Sequence, residues 1–466
     1  MIIDNPRILI SAGSSGSGKT TVTCGILKAL KNRGLRVSSC KCGPDYIDPM
    51  FHEKVLGVPS VNLDPFFEDK KLMRSLYARH TADSDINIIE GVMGFYDGFS
   101  FDKTDASTYE VAKNIASPVI LVVNAKGMAL TIVPFLKGII EFRDDSNIRG
   151  VILNNISEMV CRSMKPIIEK ELGIDVLGFM PPSPEIAVES RHLGLMTPDE
   201  VKDIQSRFEK LGDLAEKCMD IERIIEIAGE ADPIKCEELV RWTKKEEKVR
   251  IAIARDEAFC FYYKDNLELL QELGCELVPF SPINDPHLPE NIDGMLLGGG
   301  YPETYGKELS ENISMRTDIL SRLNDGLPCL AECGGFMYLH DLMEDTEHTE
   351  HRMVGFLSGE KCVRRDRLVR FGYITLSSDE GGSLLNNGEQ IKAHEFHYWD
   401  STDNGELMKA VKPSGKREWM CMHRIKNTIC GYPHLFYRSA PQFAERFVKL
   451  CRFNWQNPLC ERAESE

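Results

Sequence analysis

The sequence predicts an α/β protein of two domains, each built on a mostly parallel sheet, and three observations lead there. Its 466 residues exceed the length at which a single core stops growing, about 250–300 residues. From residue 7 onward, short β-branched runs ("RILISA", "RVSSC", "INIIEG", "PVILVVN", "RGVILNN", "VLGFM") alternate with helix-length segments, the rhythm of a sheet covered on both faces. A charged helical stretch over 197–247 ends in the polar run "TKKEEK", and a second αβ series opens with "RIAIARD". That break sets the domains at 1–245 and 246–466.

Composition narrows the function classes. The 56 Lys and Arg against 72 Asp and Glu leave a formal charge of -16, which argues against nucleic acid and against an anionic membrane surface as partners. The longest apolar region, "SPVILVVNAKGMALTIVPFLKGII", is interrupted by Asn124, Lys126 and Pro134 before it supplies the roughly 20 residues that span a bilayer. The N-terminus has no basic region followed by a long hydrophobic core, so it reads as lacking a signal peptide, and a cytoplasmic protein is expected. The 15 cysteines form no CxxC pair and read for the most part as reduced, buried small hydrophobes.

The first strand, "RILISA", runs into "GSSGSGKT", which fits G-x-x-x-x-G-K-[ST] over Gly13, Ser14, Ser15, Gly16, Ser17, Gly18, Lys19 and Thr20, with Thr21 following. Between a strand and a helix this pattern is a phosphate loop: the glycines let backbone N–H groups converge on phosphate oxygens, Lys19 neutralises β/γ charge and Thr20 is suited to Mg²⁺. ATP with Mg²⁺ is the expected pair. After the second strand, "CKCGPDYIDPMFH" sets Asp45 and Asp48 around Tyr46 at the carboxyl edge of the sheet, where α/β ligands bind. Read alone, these aspartates are equally turn formers beside Pro44 and Pro49. The strand "INIIEG" ends on Glu90, followed by "VMGFYDG" with Asp97. A carboxylate at that point is placed to hold Mg²⁺, with Thr20 and Asp48 as the other candidate ligands.

Taken in order and spacing, "GSSGSGKTT", "KCGPDYIDPMFH", "IEGVMGFYDG" and the later "SRHLGL" resemble the cobyrinate a,c-diamide synthases, a corrinoid-pathway family whose N-terminal half is similar to dethiobiotin synthetase. The resemblance implies an ATP-dependent amidation through an acyl phosphate. It implies that Asn154 reads adenine, and that Asp45, Tyr46, Asp48, Asp97 and Arg191, beside His192, meet the acceptor carboxylate or nucleotide.

In the second series "LPCLAEC" reads as a strand and "GGFMYLHDLM" as a helix, so Cys333 falls on a tight strand-to-helix turn where a nucleophile projects and the helix dipole lowers a thiol pKa. Gly298, Gly299 and Gly300 in "LLGGGYPE" end another strand, where Gly299 and Gly300 with Gly334 can supply oxyanion N–H groups. His434 in "CGYPHLFY" holds the position of the histidine in class I glutamine amidotransferases, so the resemblance makes the C-terminal domain a sheet of that class with Cys333 as nucleophile and His434 as base. Attack on glutamine would give a γ-glutamyl thioester and ammonia. Two residues depart from the usual class: Ala331 replaces the first glycine of G-x-C-x-G, and Leu435 and Phe436 follow His434 where H-x-E is usual. Both departures match the cobyrinate and cobyric acid synthase branch and leave open what orients His434. The competing His394 and His397 are three apart on a strand and face opposite sides.

The implied substrates are a tetrapyrrole acid, L-glutamine and ATP. The alternatives keep the chemistry on hydrogenobyrinate or nickel-sirohydrochlorin, or replace it with a ParA-like switch ATPase. The last would carry an additional lysine early in the phosphate loop, where this chain has Ser14.

Overall fold

Residues 7–12, all six buried, form the strand β1 (Arg7–Ala12) at the middle of a seven-stranded sheet. The computed structural model describes residues 2–183, 198–239, 248–378 and 384–453. Alternate side chains of β1 leave on opposite faces: Ile8 and Ile10 join one core with Val22, Leu27 and Leu211, while Leu9 joins the other with Ile89, Leu121 and Val151. The strand ends where the phosphate loop begins. Gly16 and Gly18 have φ of 73° and 93°, a left-handed backbone that favours glycine, and α1 (Lys19–Asn32) starts immediately after Gly18.

The chain continues through β2 (Val37–Cys42), α2 (Ile47–Lys54), β3 (Ser60–Leu63), β4 (Ile86–Glu90), β5 (Val119–Asn124), β6 (Ile148–Asn154) and β7 (Asp175–Met180). The sheet order is β3-β2-β4-β1-β5-β6-β7, and every pairing is parallel. The edge strand β3 is absent from the sequence reading: it has four residues, "SVNL", directly after Pro59. A later helix, α3 (Pro198–Cys218), packs on α1, where a Cβ on Gly25 would meet that of Ala215 at 3.2 Å. Arg191 and His192 lie outside the described residues.

The chain divides into two compact units, Met1–Leu239 and Val240–Glu466. The second is built on β8 (Val249–Ala254), β9 (Cys275–Phe280), β10 (Gly294–Leu297), β11 (Cys329–Glu332) and β14 (Thr428–Gly431). They run parallel in the order β9-β8-β10-β11-β14, with His423–Ile425 added antiparallel at the edge. The helices α4 (Lys264–Glu272) and α6 (Pro441–Arg452) flank it, and the short α5 (Gly334–Tyr338) follows β11. The helix expected through residue 343 stops at Tyr338 because His340–Glu344 becomes a strand paired with Leu357–Arg364. The antiparallel additions include β12 (Arg370–Ser377) and β13 (Gln390–His397), paired along their whole length, with His434–Leu435 on the far side of β13. Among the described residues no helix is long and apolar enough to cross a membrane. The described cysteines are all free thiols, and all but Cys218 and Cys260 are buried.

Candidate functional site

In the N-terminal unit the phosphate loop leaves Ser14, Ser15 and Gly16 exposed at the end of β1 and buries Ser17 and Lys19. The loop is held from within. Ser17 Oγ donates to the Ser14 carbonyl at 3.0 Å and Lys19 Nζ to the carbonyls of Ser14 at 3.3 Å and Met93 at 2.5 Å. A Cβ on Gly13 would stand 2.8 Å from the Phe135 ring, and one on Gly18 2.1 Å from Asn154 Nδ2. Asn154 ends β6, donates to the Ser17 carbonyl at 2.9 Å and accepts from the Asn155 N–H at 2.9 Å, so it braces the loop. Burial, then the neighbouring Lys41, brings the Lys19 ammonium down to about 8.

Beside the loop lies a buried charge cluster. Thr20, half-buried like Thr21, donates to Glu90 Oε1 at 2.6 Å. Lys41 bonds the same oxygen at 2.8 Å and also pairs with Asp48, while His52 Nε2 stands 3.5 Å from Glu90 Oε2. Burial opposes ionisation of Glu90, but Lys41 and then His52 hold it below the usual carboxylate range. Burial raises Asp48 to about 7 against the pull of Lys41. Burial also opposes the Lys41 charge, yet Glu90 and Asp48 keep it well above the ordinary lysine value. Asp48 Oδ1 and Glu90 Oε2 are buried without a hydrogen-bond partner. These atoms and the Thr20 hydroxyl are oxygen donors, the kind a hard cation such as Mg²⁺ takes.

Other predicted residues are placed differently. Asp45 Oδ1 accepts from the N–H groups of Ile47 at 2.8 Å and Asp48 at 3.2 Å, heading α2 as a turn former does, with Tyr46 half-buried beside it. Asp97 is exposed and accepts from the Gly94 N–H at 3.0 Å. Lys41 and His52 escaped the sequence reading. A lysine between two cysteines at the end of a strand of small residues, "VSSCKC", was a usable signal, because a buried ammonium needs a partner.

In the C-terminal unit Cys333 has φ 48° and ψ -104° between β11 and α5, a strained backbone for a residue with a side chain. Three contacts impose it. The Cys333 N–H donates to the Gly431 carbonyl at 2.8 Å, the Gly335 N–H donates to the Gly298 carbonyl at 2.9 Å, and a Cβ on Gly335 would fall 2.1 Å from the Leu297 oxygen. Around this elbow the predicted glycines and histidine converge. A Cβ on Gly334 would stand 3.2 Å from Gly300 N, and one on Gly299 would stand 2.4 Å from His434 Cε1. The Gly298 N–H is already taken by the Tyr262 hydroxyl at 2.8 Å.

The expectation that the helix dipole lowers the Cys333 pKa is not met. Burial, then Glu303, pushes the thiol up, and five residues of α5 carry too little dipole to offset that. Burial, then His397, brings His434 down to about 3, so its imidazole is neutral at ordinary pH and able to accept a proton. His394 pairs directly across from His434. His397 donates from Nδ1 to the Trp399 carbonyl at 2.6 Å and stacks on Tyr432 at 3.8 Å.

Residues 8–195 match the CobQ/CobB/MinD/ParA nucleotide binding domain, and residues 250–442 the CobB/CobQ-like glutamine amidotransferase domain. The chain is similar to proteins named cobyrinate a,c-diamide synthase from three organisms. It is 40% identical to that of Picrophilus torridus (95% of this chain, 98% of the relative) and 39% to that of Caldanaerobacter subterraneus subsp. tengcongensis (96% and 98%). For Priestia megaterium the identity is 38% (97% and 98%). With both halves matched in one order and nearly the full length covered, the chain belongs to the cobyrinate a,c-diamide synthase family.

Proposed function

We propose that the protein amidates the a and c acetate side chains of cobyrinate, using ATP and glutamine, through acyl phosphate intermediates. The domain over 1–245 is the synthetase and that over 246–466 the glutaminase. A substrate carboxylate oxygen attacks the γ-phosphorus of ATP, the bond to ADP breaks, and the acyl phosphate forms. Ammonia then attacks the acyl carbon, phosphate leaves, and the nitrogen loses a proton to give the amide. The loop amides from Gly13 to Thr21 bind the phosphates, Lys19 offsets the charge of the transferred group, and Asn154 both braces the loop and reads adenine. Thr20, Glu90 and Asp48 would hold Mg²⁺, which when bound would supply charge neutralisation on the phosphates. Asp45, Tyr46, Asp97 and Arg191 present the acceptor.

In the second domain His434 takes the Cys333 proton as the sulfur attacks the glutamine amide carbon. The N–H groups of Gly299, Gly300 and Gly334 receive the oxyanion. His434 passes that proton to the amide nitrogen, the C–N bond breaks and ammonia leaves, and water hydrolyses the thioester to glutamate and the free thiol. The observation that carries this reading is the presence, in one chain, of a phosphate loop beside two buried carboxylates that each keep one oxygen without a hydrogen bond, and of a strained cysteine on an elbow whose glycines meet a neutral histidine.

The test is nitrogen-source dependence, with product masses followed for cobyrinate, hydrogenobyrinate and nickel-sirohydrochlorin. Cys333→Ala is expected to abolish glutamine-driven amidation and retain ammonium-driven amidation, whereas Lys19→Ala loses both. Conversion of none of the three acceptors would sink the synthetase reading. Loss of both activities in a folded Cys333→Ala would sink the division of labour.

A further inference from the structure

The carboxylate that usually follows the amidotransferase histidine is missing here, since Leu435 and Phe436 come after His434. A carboxylate nevertheless reaches that segment, from the residue before the nucleophile. Glu332 Oε2 accepts from the Leu435 N–H at 3.3 Å, and Oε1 accepts from the Tyr437 hydroxyl at 3.0 Å. Glu332 ends β11 and pairs with Gly431 of β14, so its backbone is fixed by the central sheet. The opposite side of the same segment is held by Asn266 of α4. Its Nδ2 donates to the Leu435 carbonyl at 2.7 Å and its Oδ1 accepts from the Tyr437 N–H at 2.8 Å. Leu435 is therefore gripped at both its N–H and its C=O, and His434 precedes it by one peptide unit.

We propose that Glu332 stands in for the missing carboxylate as a positioning residue, tying the His434 segment to the nucleophile's own strand through the Leu435 amide and the Tyr437 hydroxyl. In the usual arrangement a carboxylate acts on the imidazole itself. Here it acts on the backbone that carries the imidazole, so base and nucleophile share one rigid strand end. Any shift of Glu332 moves both together, which preserves their spacing. Burial pushes the Glu332 carboxyl up to about 8, so a neutral amide of the same shape is a close replacement that keeps an acceptor for Leu435.

The inference rests on the glutaminase reading above, and the experiment separates the two. Steady-state kinetics are measured for Glu332→Ala, Glu332→Gln and Tyr437→Phe with glutamine and, separately, with ammonium, beside Cys333→Ala. Glu332→Ala is expected to lower the glutamine-driven kcat about a hundredfold, the scale of a small misplacement of a reacting group. Its KM for glutamine and its ammonium-driven rate should stay near wild type. Glu332→Gln should recover most of the loss. Tyr437→Phe should cost about fivefold, the worth of one neutral hydrogen bond, and nothing further when combined with Glu332→Ala. A near-normal glutamine-driven kcat in Glu332→Ala would overturn the proposal, as would equal loss with both nitrogen sources or a Glu332→Gln as impaired as the alanine variant. Should Glu332→Ala fail to fold, Tyr437→Phe decides alone: a loss confined to glutamine-driven turnover supports the proposal and no loss overturns it. Glutamine-driven turnover persisting in Cys333→Ala would remove the glutaminase reading first.

Discussion

Lys41 is 4% exposed and pairs with two buried carboxylates, Asp48 and Glu90. Removing its charge as Lys41→Met leaves those carboxylates without a cation, a change that typically costs about 3–5 kcal/mol. Urea unfolding without Mg²⁺ and ATP should show a loss of that order, and an unchanged midpoint would remove Lys41 from the stability of the site. The two aspartates now separate. Asp45→Asn keeps an oxygen that accepts from Ile47 and Asp48, so its melting should match wild type. Asp48→Asn weakens the Lys41 pair and the oxygen donor set, and should reduce turnover on the order of a hundredfold. A time course of diacid, monoamide and diamide for both variants checks this, and near-normal turnover in Asp48→Asn would contradict it. At this scale Lys19, Glu90, Cys333 and His434 were legible because each sits inside a contiguous motif. Lys41 and Glu332 were not, since what they do depends on partners far along the chain: Glu90 for one, Leu435 and Tyr437 for the other.

Among elements, the strands buried on both faces were legible, and the misses have physical causes. The "SVNL" strand is only four residues long and gains its partner from β2 alone, so local pattern carries little of it. The helix expected through residue 343 lost its second half to strand pairing with Leu357–Arg364, an instance of tertiary contacts overriding propensity. Two glycines in the two elbows make a contrast that can be measured. Gly16 has φ 73° and nothing within 4 Å of an added Cβ, whereas a Cβ on Gly335 would lie 2.1 Å from the Leu297 carbonyl oxygen. Gly16→Ala should therefore cost only the left-handed backbone term, about 1–2 kcal/mol. Gly335→Ala must displace β10 or α5, and should destabilise by more while also lowering glutamine-driven turnover. Equal melting temperatures for the two variants would contradict the elbow geometry.

For the whole molecule, proton linkage sets opposing trends in the C-terminal unit. Burial, with other causes secondary, holds His340 and His397 down to about 4 and His394 and His434 down to about 3. Unfolded histidines take protons near pH 6.5, so this stability is full above that pH and lost as pH falls toward 3. Burial also raises Glu303 and Glu395 to about 7 and Glu332 to about 8. Their unfolded forms ionise first, so stability is lost as pH climbs from roughly 4.3 toward 8. The two sets largely cancel between about pH 4.5 and 6.5, and the losses fall outside that band. The urea midpoint of the C-terminal unit should be higher at pH 5.5 than at pH 8 or pH 3.5, and a maximum at pH 8 would refute this. Strand order has a further consequence for how the chain is made. The middle strand β1 is the first of its sheet to be synthesised, yet Arg7 lies across from Asn87 and Leu9 across from Val119. At ribosomal rates of about 5–20 residues per second, β1 waits on the order of ten seconds for its first neighbour. A nascent chain stalled before Ile86 carries the future centre of its sheet as an unpaired apolar strand, open to any chaperone or stray edge that reaches it first.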